Sequence, residues 1–476
     1  MKMRAYIGGE WVESGRELPV VNPYDGREVA RVGLCGPAEM ERALEAAVDS
    51  LETTRRLEPY ERARSLALVR DGMQVRREEF ARALTSENGK TLAESRLEVD
   101  RAVATFDIAV GEATRVYGEA YDLGVNPMGA GRRALVRRYP VGVVSAIAPF
   151  NFPLNLAIHK VAPAMAAGCP VVLKPASKTP VTALMLAGLI EASGWPRGAF
   201  SVVPSDRAAG QILVTDERIK LLSFTGSPEV GWKMKREAGR KKVVLELGGN
   251  AGLIIDRDVA DWDWLIRRTL MGAFYQCGQV CISVQRIFVH REILDEFRER
   301  FRRAAEGLRS GDPAEESTTL GPLIDSGSRE RLQDWVAEAL DRGARLVTGN
   351  TIAPGGQGNC MTATILEEVG SSCRIAAEEA FGPVVTLTPV DSMEEAFQRV
   401  NDSRFGLQCG IFTRDFKTVM RALDVLEVGG VIHDDVPSFR VDSMPYGGLK
   451  DSGLGREGVR YAMNDMLEER VLVYRP

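Results

Sequence analysis

The feature that most constrains the fold is a regular alternation of apolar runs and helix-like patterns across residues 141–247. Five apolar runs predict strands, and the four segments between them predict helices. The predicted strands are 141–148, 170–173, 200–203, 220–224 and 241–245, and the predicted helices are 156–167, 181–193, 207–215 and 229–239. This alternation is typical of a parallel sheet covered by helices. We therefore expect an α/β fold that binds its ligands beyond the carboxyl ends of the strands.

A second series of strands and helices starts near residue 251. It consists of a predicted helix at 261–275 and predicted strands at 285–290, 344–347, 384–389 and 409–412. Two further strand-like segments, 132–138 and 470–474, belong to neither series, and a lone edge strand is seldom left unpaired. A chain of 476 residues also exceeds the length over which one hydrophobic core keeps growing. The sequence therefore predicts at least two domains.

The charge balance argues against two classes of partner. Lysine and arginine total 61 against 66 acidic residues, which gives a net charge of -5. Such a chain offers no electrostatic attraction to nucleic acid or to an anionic membrane. The N-terminal residues contain no apolar stretch of signal-peptide length, and no later stretch approaches the ~20 apolar residues that span a bilayer. We expect a cytoplasmic protein with no nucleic acid and no membrane partner.

Seven cysteines form an odd set without paired spacings. They lie at positions 35, 169, 277, 281, 360, 373 and 409. This distribution favours reduced thiols over a disulfide framework. Cys277 and Cys281 are four residues apart, but no second thiol pair or nearby histidine completes a zinc site. We therefore expect no metal.

Three short motifs carry reactive side chains. Asn151 lies within PFNFP at 149–153, Glu246 begins ELGGN at 246–250, and Cys281 ends GQVC at 278–281. An amide donor, a carboxylate base and a thiol nucleophile are the groups needed to oxidise a carbonyl through a covalent thioester. Together with IGGEW at 7–11 and GGLKDSGLGRE at 447–457, these motifs extend in order over nearly the whole chain. The sequence resembles the aldehyde dehydrogenase superfamily.

The resemblance implies an aldehyde dehydrogenase-like α/β fold with three parts. The first is a Rossmann-type dinucleotide-binding domain, which we assign to residues 1–119 and 139–247. The second is an α/β catalytic domain at residues 248–445. Residues 120–138 and 446–476 would form a β oligomerisation arm and the C-terminal segment. Such an arm implies a homodimer or a homotetramer.

The resemblance also implies the roles of three residues. Cys281 matches the family's nucleophile, Asn151 the asparagine whose amide donates to the oxyanion, and Glu246 the general base. Oxyanion donors lower the barrier because a full negative charge develops on the carbonyl oxygen. After hydride transfer to a nicotinamide, the base activates the water that hydrolyses the thioester. Cys277 departs from the family pattern, and we interpret it as inert packing.

No GxGxxG fingerprint follows an early strand, so a standard Rossmann phosphate loop is not predicted. The resemblance instead implies a nicotinamide cofactor bound by Phe150, Lys174, Ser177, Lys178, Gly226, Ser227, Glu379 and Phe381. Ser227 opens a predicted helix whose N–H groups would face the pyrophosphate. Ser177 stands where many NAD-preferring relatives have a glutamate that repels a 2′-phosphate, and Lys178 adds positive charge. We expect NADP to be favoured, with NAD tolerated.

Three segments resemble the branch of lactaldehyde and glyceraldehyde dehydrogenases, including its non-phosphorylating glyceraldehyde-3-phosphate relatives. They are NLAIHK at 155–160, CISVQR at 281–286 and FRVDSMP at 439–445. His159 and Arg440 match positions at the mouth of the family's substrate tunnel, and Arg101 falls near an arginine of some phosphate-binding members. Together they predict a small polar or anionic aldehyde as substrate. The HDD stretch at 433–435 departs from the asparagine-containing stretch of most relatives.

Two other functions stay open. A CoA-acylating semialdehyde dehydrogenase would resolve the thioester with a thiol, and Glu246 argues against it because that chemistry needs no base for water. A non-catalytic structural or binding protein on the same scaffold is disfavoured, since every central catalytic position is retained. Arg101 and Lys178 could equally be ion-paired or solvated surface charges.

Overall fold

The computed structural model describes residues 1–116 and 118–476. The alternating segment 141–247 forms the parallel centre of an eight-stranded sheet, here called the first sheet. Its strands lie in the order Gly453–Leu454, Lys242–Glu246, Ile219–Thr225, Val143–Ile147, Val171–Lys174, Phe200–Val202, Ala5–Ile7 and Glu10–Val12. The α/β prediction is confirmed, and each of the five predicted strands starts and ends within two residues of its predicted bounds.

Helices cover both faces of the first sheet. Along one central strand, Val144 and Ala146 pack in one core cluster, whereas Val143 and Ile147 pack in another. Successive strand residues point to opposite faces, so the apolar runs are continuous because both faces are buried. The surrounding helices are Pro37–Arg56, Pro59–Val75, Arg77–Asn88, Leu92–Ala113, Asn155–Ala167, Val181–Ala192, Arg207–Thr215 and Pro228–Glu237.

The second series forms a seven-stranded sheet, here called the second sheet. Its strands lie in the order Arg345–Thr348, Thr364–Glu367, Val384–Val390, Val284–His290, Ala251–Ile255, Gln408–Phe412 and Gly430–His433. Neighbouring strands are parallel except for the edge pair of Arg345–Thr348 with Thr364–Glu367. Its helices are Trp262–Phe274, Leu294–Glu306, Ser326–Asp341, Arg374–Ala377, Met393–Asn401 and Phe416–Val425.

The two strand-like segments that belonged to neither series pair with each other. Strands Arg133–Pro140 and Leu467–Tyr474 are antiparallel along eight residue pairs, and Glu119–Asp122 pairs with the free side of Arg133–Pro140. We call these three strands the arm sheet. Its residues Val471 and Leu472 are exposed. The arm sheet therefore presents apolar side chains to solvent.

Shorter elements complete the part of the chain that the structure describes. Two small sheets contain Lys2–Met3, Glu28–Gly33 and Glu17–Val21 in one and Phe405–Gly406 with Leu449–Lys450 in the other. The short helices are Pro127–Gly129, Tyr275–Gly278, Arg291–Ile293 and Val459–Asp465. Among the described helices, none has both the length and the apolar character that crossing a bilayer requires.

A buried ion pair joins the helical layer to loops at the ends of both sheets. The side chains of Lys90 and Glu98 are fully buried and contact each other. Lys90 Nζ also donates to the Asn151 carbonyl at 2.8 Å and to Gln276 Oε1 at 3.0 Å. Glu98 accepts two backbone N–H groups at the start of helix Asn155–Ala167. The pair therefore fixes loops that come from distant parts of the sequence.

We predict that Lys90→Met lowers the free energy of unfolding by about 3–5 kcal/mol, because it leaves the Glu98 carboxylate buried without its partner. Urea denaturation followed by circular dichroism measures this change. The double variant Lys90→Met/Glu98→Gln removes both charges and should recover part of the loss. A loss below about 1 kcal/mol, the range of an exposed ion pair, would contradict the prediction.

Candidate active site

The carboxyl ends of the first sheet and the loop that carries Cys281 enclose a cavity of about 380 Å³. Its lining includes eight residues to which the family resemblance gave a role: Phe150, Asn151, Gly226, Ser227, Glu246, Cys281, Glu379 and Phe381. Most of the other lining residues are apolar. Open α/β sheets bind ligands at this end of their strands. The cavity is therefore the candidate active site.

Two glycines allow the first sheet to approach the cysteine loop. A Cβ on Gly249 would lie 2.2 Å from the carbonyl oxygen of Cys281, and a Cβ on Gly248 would lie 2.5 Å from Glu379 Oε2. Neither distance leaves room for a side chain in a close-packed interior. Gly248 and Gly249 therefore allow the close packing that brings Glu246, Cys281 and Glu379 to one cavity.

Cys281 differs from the other cysteines in its exposure. Cys281 is partly exposed, and the other six are buried. Burial raises the pKa of the Cys281 thiol to about 12, and the Tyr446 hydroxyl, 3.0 Å from Sγ, opposes that rise. The thiolate is the nucleophilic form of cysteine. Cys277 lies in the apolar core beside the second sheet and forms no disulfide, so it is packed away from the cavity.

The backbone just before Cys281 has an uncommon conformation. Gln276 and Cys277 have φ angles of 51° and 55°, in the left-handed region that non-glycine residues seldom adopt. Each such residue costs about 1–2 kcal/mol. The Gln276 N–H donates to the buried Glu94 Oε1 at 2.5 Å, and its side-chain amide donates to the Asn151 carbonyl. These hydrogen bonds hold the strained turn and therefore the direction of the cysteine loop.

Asn151 supplies a fixed amide donor. Its Nδ2 donates to the Gln279 carbonyl at 2.9 Å, within the GQVC motif. A primary amide has two N–H donors, so one stays available to a ligand in the cavity. The flanking prolines restrict the backbone, and Lys90 holds the Asn151 carbonyl. The amide is thus attached to the loop that carries the cysteine.

Glu246 ends its strand with a buried carboxyl group. Its Oε1 has no hydrogen-bond partner among the described residues. Burial raises the pKa of Glu246 well above its ordinary value, and the nearby negative charge of Glu457 adds to the rise. The cations Arg440 and Lys160 oppose it. A buried carboxylate with a raised pKa and a free oxygen is suited to accept a proton.

The other half of the cavity presents a helix end and two aromatic rings. Ser227 is the N-cap of helix Pro228–Glu237, and its side chain makes no capping hydrogen bond. The rings of Phe150 and Phe381 meet edge to face, with centroids 5.8 Å apart. Glu379 accepts a backbone N–H of the ELGGN segment at 2.9 Å, and burial raises its pKa to about 7. Free N–H groups at a helix start suit a phosphate, so these residues fit a dinucleotide.

Three predicted cofactor residues lie beyond the edge of the cavity, although their neighbour Ala176 lines it. Lys174 is partly buried, and burial lowers its pKa. Ser177 and Lys178 are exposed. Lys178 forms an ion pair with Asp325, the N-cap of a helix beside the second sheet. Lys178 is therefore paired, and its ion pair connects a loop of the first sheet to a helix beside the second sheet.

Arg101, His159 and Arg440 do not line the cavity but meet in a charged cluster around Asp442. Asp442 Oδ1 accepts from Arg101 Nη2 at 2.7 Å and lies 2.8 Å from His159 Nε2. Arg440 Nη2 donates to Glu457 Oε2 at 3.1 Å and lies 3.2 Å from His159 Nδ1. Burial and the charge of Arg440 lower the pKa of His159 and so disfavour its protonated form. The structure brings the three predicted substrate residues together.

Arg440 lies deeper than the open tunnel mouth at which we expected it. Its side chain is 6% exposed, and its guanidinium carbon lies 3.7 Å from the centroid of the Tyr446 ring. Arg440 Nε is buried and makes no hydrogen bond to the described residues, although Asp442 Oδ1 lies 4.0 Å from it. Because Tyr446 contacts Cys281, the charged cluster reaches the cysteine through a single aromatic ring.

Sequence reasoning gave no role to Lys160, Glu457 and Tyr446, although all three lie in or beside the motifs. The fully buried Lys160 donates to Glu457 Oε1 at 2.8 Å across 297 sequence positions. It also donates to Thr225 Oγ1 at 2.6 Å. The available signal was a lysine within a largely apolar helix, because a buried lysine needs a carboxylate partner.

Comparison with known proteins identifies the family. Residues 11–472 match the Aldehyde dehydrogenase family. The 3-sulfolactaldehyde dehydrogenase of Priestia aryabhattai is 41% identical over 469 residues, which cover 98% of this chain and 97% of that protein. The chain belongs to the aldehyde dehydrogenase family and is an NAD(P)-dependent aldehyde dehydrogenase. The resemblance inferred from the motifs is confirmed, and the non-catalytic alternative is set aside.

Two solved structures have the same fold over all or nearly all of the chain. Aldehyde dehydrogenase 21 of Physcomitrella patens, in complex with the reaction product succinate, has a TM-score of 0.97 and 44% identity, covering 100% of this chain and 98% of that chain. The glyceraldehyde-3-phosphate dehydrogenase GapN of Methanocaldococcus jannaschii DSM 2661, in complex with NADP, has a TM-score of 0.92 and 34% identity, covering 97% of this chain and 100% of that chain. The predicted fold class is thereby confirmed.

Proposed function

We propose that this enzyme oxidises a small polar or anionic aldehyde to the carboxylate through a thiohemiacetal and a thioester on Cys281, with NADP as the favoured acceptor. One observation carries the proposal. The Cys281 thiol, the Asn151 amide and the unpartnered Glu246 carboxyl converge on one cavity. A nucleophile, an oxyanion donor and a base are the groups that acyl chemistry on a thiol requires.

Cys281 begins the reaction by attacking the aldehyde carbon as a thiolate. The C–S bond forms as the carbonyl π electrons move to oxygen. The oxyanion accepts from the Asn151 N–H that is not committed to Gln279. Because the other N–H anchors this amide before the substrate arrives, the donor needs no reorganisation during the reaction.

A nicotinamide dinucleotide, when bound, supplies the acceptor for the hydride that leaves the former aldehyde carbon. Ser227 at the helix start would face its pyrophosphate, and Glu379 its nicotinamide ribose. Phe150 and Phe381 would form an apolar wall. The proposal includes no metal, and within residues 1–116 and 118–476 no group of three or more His, Cys, Asp or Glu side chains is placed to hold one.

Glu246 acts after the thioester has formed. Its carboxylate removes a proton from water as the water oxygen attacks the thioester carbon. The C–S bond then breaks, and its electron pair returns to Cys281. The raised pKa of Glu246 makes the carboxylate a stronger base than an exposed glutamate. This hydrolytic role distinguishes the proposal from a CoA-acylating dehydrogenase, in which a thiol resolves the thioester.

The NADP preference rests on Ser177 and Lys178. Ser177 leaves no carboxylate at a position that we place beside the adenosine ribose. A 2′-phosphate would compete with Asp325 for the ammonium group of Lys178. The relative from Methanocaldococcus jannaschii was solved with NADP, which supports this preference. NAD lacks the 2′-phosphate and would be tolerated because it leaves the ion pair intact.

The charged cluster behind Tyr446 supports an anionic or polar substrate tail. The Nε–H of Arg440 makes no hydrogen bond within the part of the chain that the structure describes. His159 and Arg101 position Asp442, which lies 4.0 Å from Arg440. The relative from Priestia aryabhattai acts on 3-sulfolactaldehyde, whose sulfonate is a strong anion. We propose a short aldehyde with a sulfonate, carboxylate, phosphate or hydroxyl tail.

The arm sheet supports a proposal about assembly. Its strand Leu467–Tyr474 exposes the consecutive apolar residues Val471, Leu472 and Val473. Exposed apolar strand surfaces are sites of association. We propose a homodimer or homotetramer that uses this sheet as its arm. In the same proposal, residues 1–119 and 139–247 bind the dinucleotide and residues 248–445 form the catalytic domain.

The reduced cysteines support a cytoplasmic location.

We predict that Cys281→Ala abolishes aldehyde oxidation but retains folding and cofactor binding. Glu246→Gln should give a first-turnover burst of reduced cofactor and then stall as the thioester, because only water attack needs the base. Stopped-flow absorbance and mass spectrometry of the acyl-enzyme measure both outcomes. Cys277→Ala is the matched control and should turn over normally. Turnover at the wild-type rate in Cys281→Ala would refute the proposal, and acyl-CoA as the main product would indicate the CoA-acylating alternative.

The cofactor preference is tested by two substitutions with opposite expected effects. Ser177→Glu should weaken NADP binding roughly tenfold or more by placing a carboxylate against the 2′-phosphate. Asp325→Asn removes the competing carboxylate while keeping a good helix cap, so it should tighten NADP binding and leave NAD binding unchanged. Fluorescence titrations with both cofactors measure the dissociation constants. Unchanged NADP affinity in both variants would mean that the adenosine ribose binds elsewhere.

We predict that Arg440→Met lowers kcat/KM more for anionic aldehydes than for propanal, because a charge-assisted hydrogen bond to the tail is lost. The difference corresponds to about 1.5–3 kcal/mol of transition-state stabilisation. Methionine keeps much of the packing on Tyr446. Steady-state assays with 3-sulfolactaldehyde, succinic semialdehyde and propanal measure the difference. The exposed Arg300→Met is the control and should change none of them. Equal losses on all three aldehydes would mean that Arg440 supports the loop and not the substrate.

A further inference from the structure

Tyr446 places a hydroxyl group directly on the proposed nucleophile. Its oxygen lies 3.0 Å from Cys281 Sγ, and the residue is buried. The remaining members of this side-chain cluster are apolar or aromatic, and they are Phe152, Leu156, Tyr275, Val280, Ile282 and Leu407. In surroundings of low polarity a hydrogen bond to an anion is stronger than in water.

The direction of this hydrogen bond follows from the chemistry of sulfur. A thiolate carries no proton, so in the reactive form only the Tyr446 O–H can donate. Burial raises the pKa of Tyr446 well above its ordinary value, so the hydroxyl keeps its proton. The backbone of Tyr446 exchanges hydrogen bonds of 3.0 and 2.7 Å with the backbone of Glu457, which fixes the backbone that carries the ring. The donor is therefore present and held in place.

Arg440 lies against the ring that carries this hydroxyl. Its guanidinium carbon is 3.7 Å from the ring centroid, a cation–π contact. A cation over the ring withdraws electron density from the phenol and strengthens its O–H as a donor. The other charged groups near Cys281 are Glu246 and Glu379, and both disfavour a second negative charge. Tyr446 and Arg440 are thus the two groups that favour the thiolate.

We propose that Tyr446 is a catalytic residue that stabilises the Cys281 thiolate by donating its O–H to Sγ, with Arg440 strengthening that donor. This inference rests on the proposed function, because it takes Cys281 as the nucleophile. The same bond acts twice in each turnover. It stabilises the thiolate before the C–S bond forms, and it stabilises the sulfur anion that takes the electron pair when the thioester C–S bond breaks.

The test measures how fast iodoacetamide alkylates Cys281 between about pH 7 and 9.5, where the rate follows the thiolate fraction. Peptide mass spectrometry confirms the labelled residue. Loss of a hydrogen bond to an anion should raise the thiol pKa by about 1–2 units. A more basic thiolate is also more nucleophilic, which offsets part of the loss, so Tyr446→Phe should react roughly 3- to 15-fold more slowly.

Two further variants make the test specific. Tyr275→Phe removes a buried hydroxyl that has no partner among the described residues, from the same cluster, and should alkylate at the wild-type rate. Replacement of Tyr446 by 3-fluorotyrosine keeps the hydroxyl but makes it a stronger donor, so the thiolate fraction should rise and Cys281 should be alkylated faster than in the wild type. A purely structural role of the ring would predict no change in either direction.

The outcomes separate this inference from the proposed function. An alkylation profile of Tyr446→Phe that matches the wild type, or equal slowing in Tyr275→Phe, overturns the role of Tyr446. If Cys281→Ala does not oxidise aldehydes, the proposed function stands even when the role of Tyr446 is overturned. If Cys281→Ala still oxidises aldehydes, the proposed function itself falls. Slower alkylation in Tyr446→Phe together with faster alkylation in the fluorotyrosine protein supports the inference.

Discussion

The buried contact between Lys90 and Glu98 is the interaction on which the geometry of the site depends. Removing two charges from water is costly, and the cost is offset only if both are paired and their remaining hydrogen bonds are made. Here those bonds go to the loops that carry Asn151 and Gln276. The amide donor and the strained turn before Cys281 are therefore held by one pair from the helical layer.

The surroundings of the cavity change the pKa of two neighbouring carboxyl groups in opposite directions. Burial acts to raise the pKa of both, but Glu457 contacts Lys160 and Arg440, and these cations outweigh burial and lower it. Glu246 Oε1 makes no such contact, so its pKa stays raised. Two carboxyl groups whose pKa values are shifted in opposite directions suit different tasks. One stays ionised and anchors the cations, and the other is free to accept a proton.

The sequence could predict those features of the fold and the site that a local residue pattern determines. The central strands of the first sheet were found because strands buried on both faces are continuous apolar runs, and the cavity-lining residues lie in short motifs. Contacts between distant residues left no such pattern. The contact of Tyr446 with Cys281 spans 165 positions, and that of Lys178 with Asp325 spans 147. The burial of Arg440 likewise depends on partners from other segments. For this reason the sequence led us to expect Arg440 at a tunnel mouth, whereas the structure buries its side chain.

The antiparallel pairing of Gly453–Leu454 with the strand that ends in Glu246 has a consequence for biosynthesis. Residue 453 follows Asn151, Glu246 and Cys281 in the chain, so this edge of the first sheet stays unpaired until all three have been synthesised. Domains generally fold in order from the N-terminus as they emerge. The first sheet departs from this order at one edge, because a nascent chain that already contains the cysteine, the amide and the glutamate still lacks the strand that pairs beside Glu246.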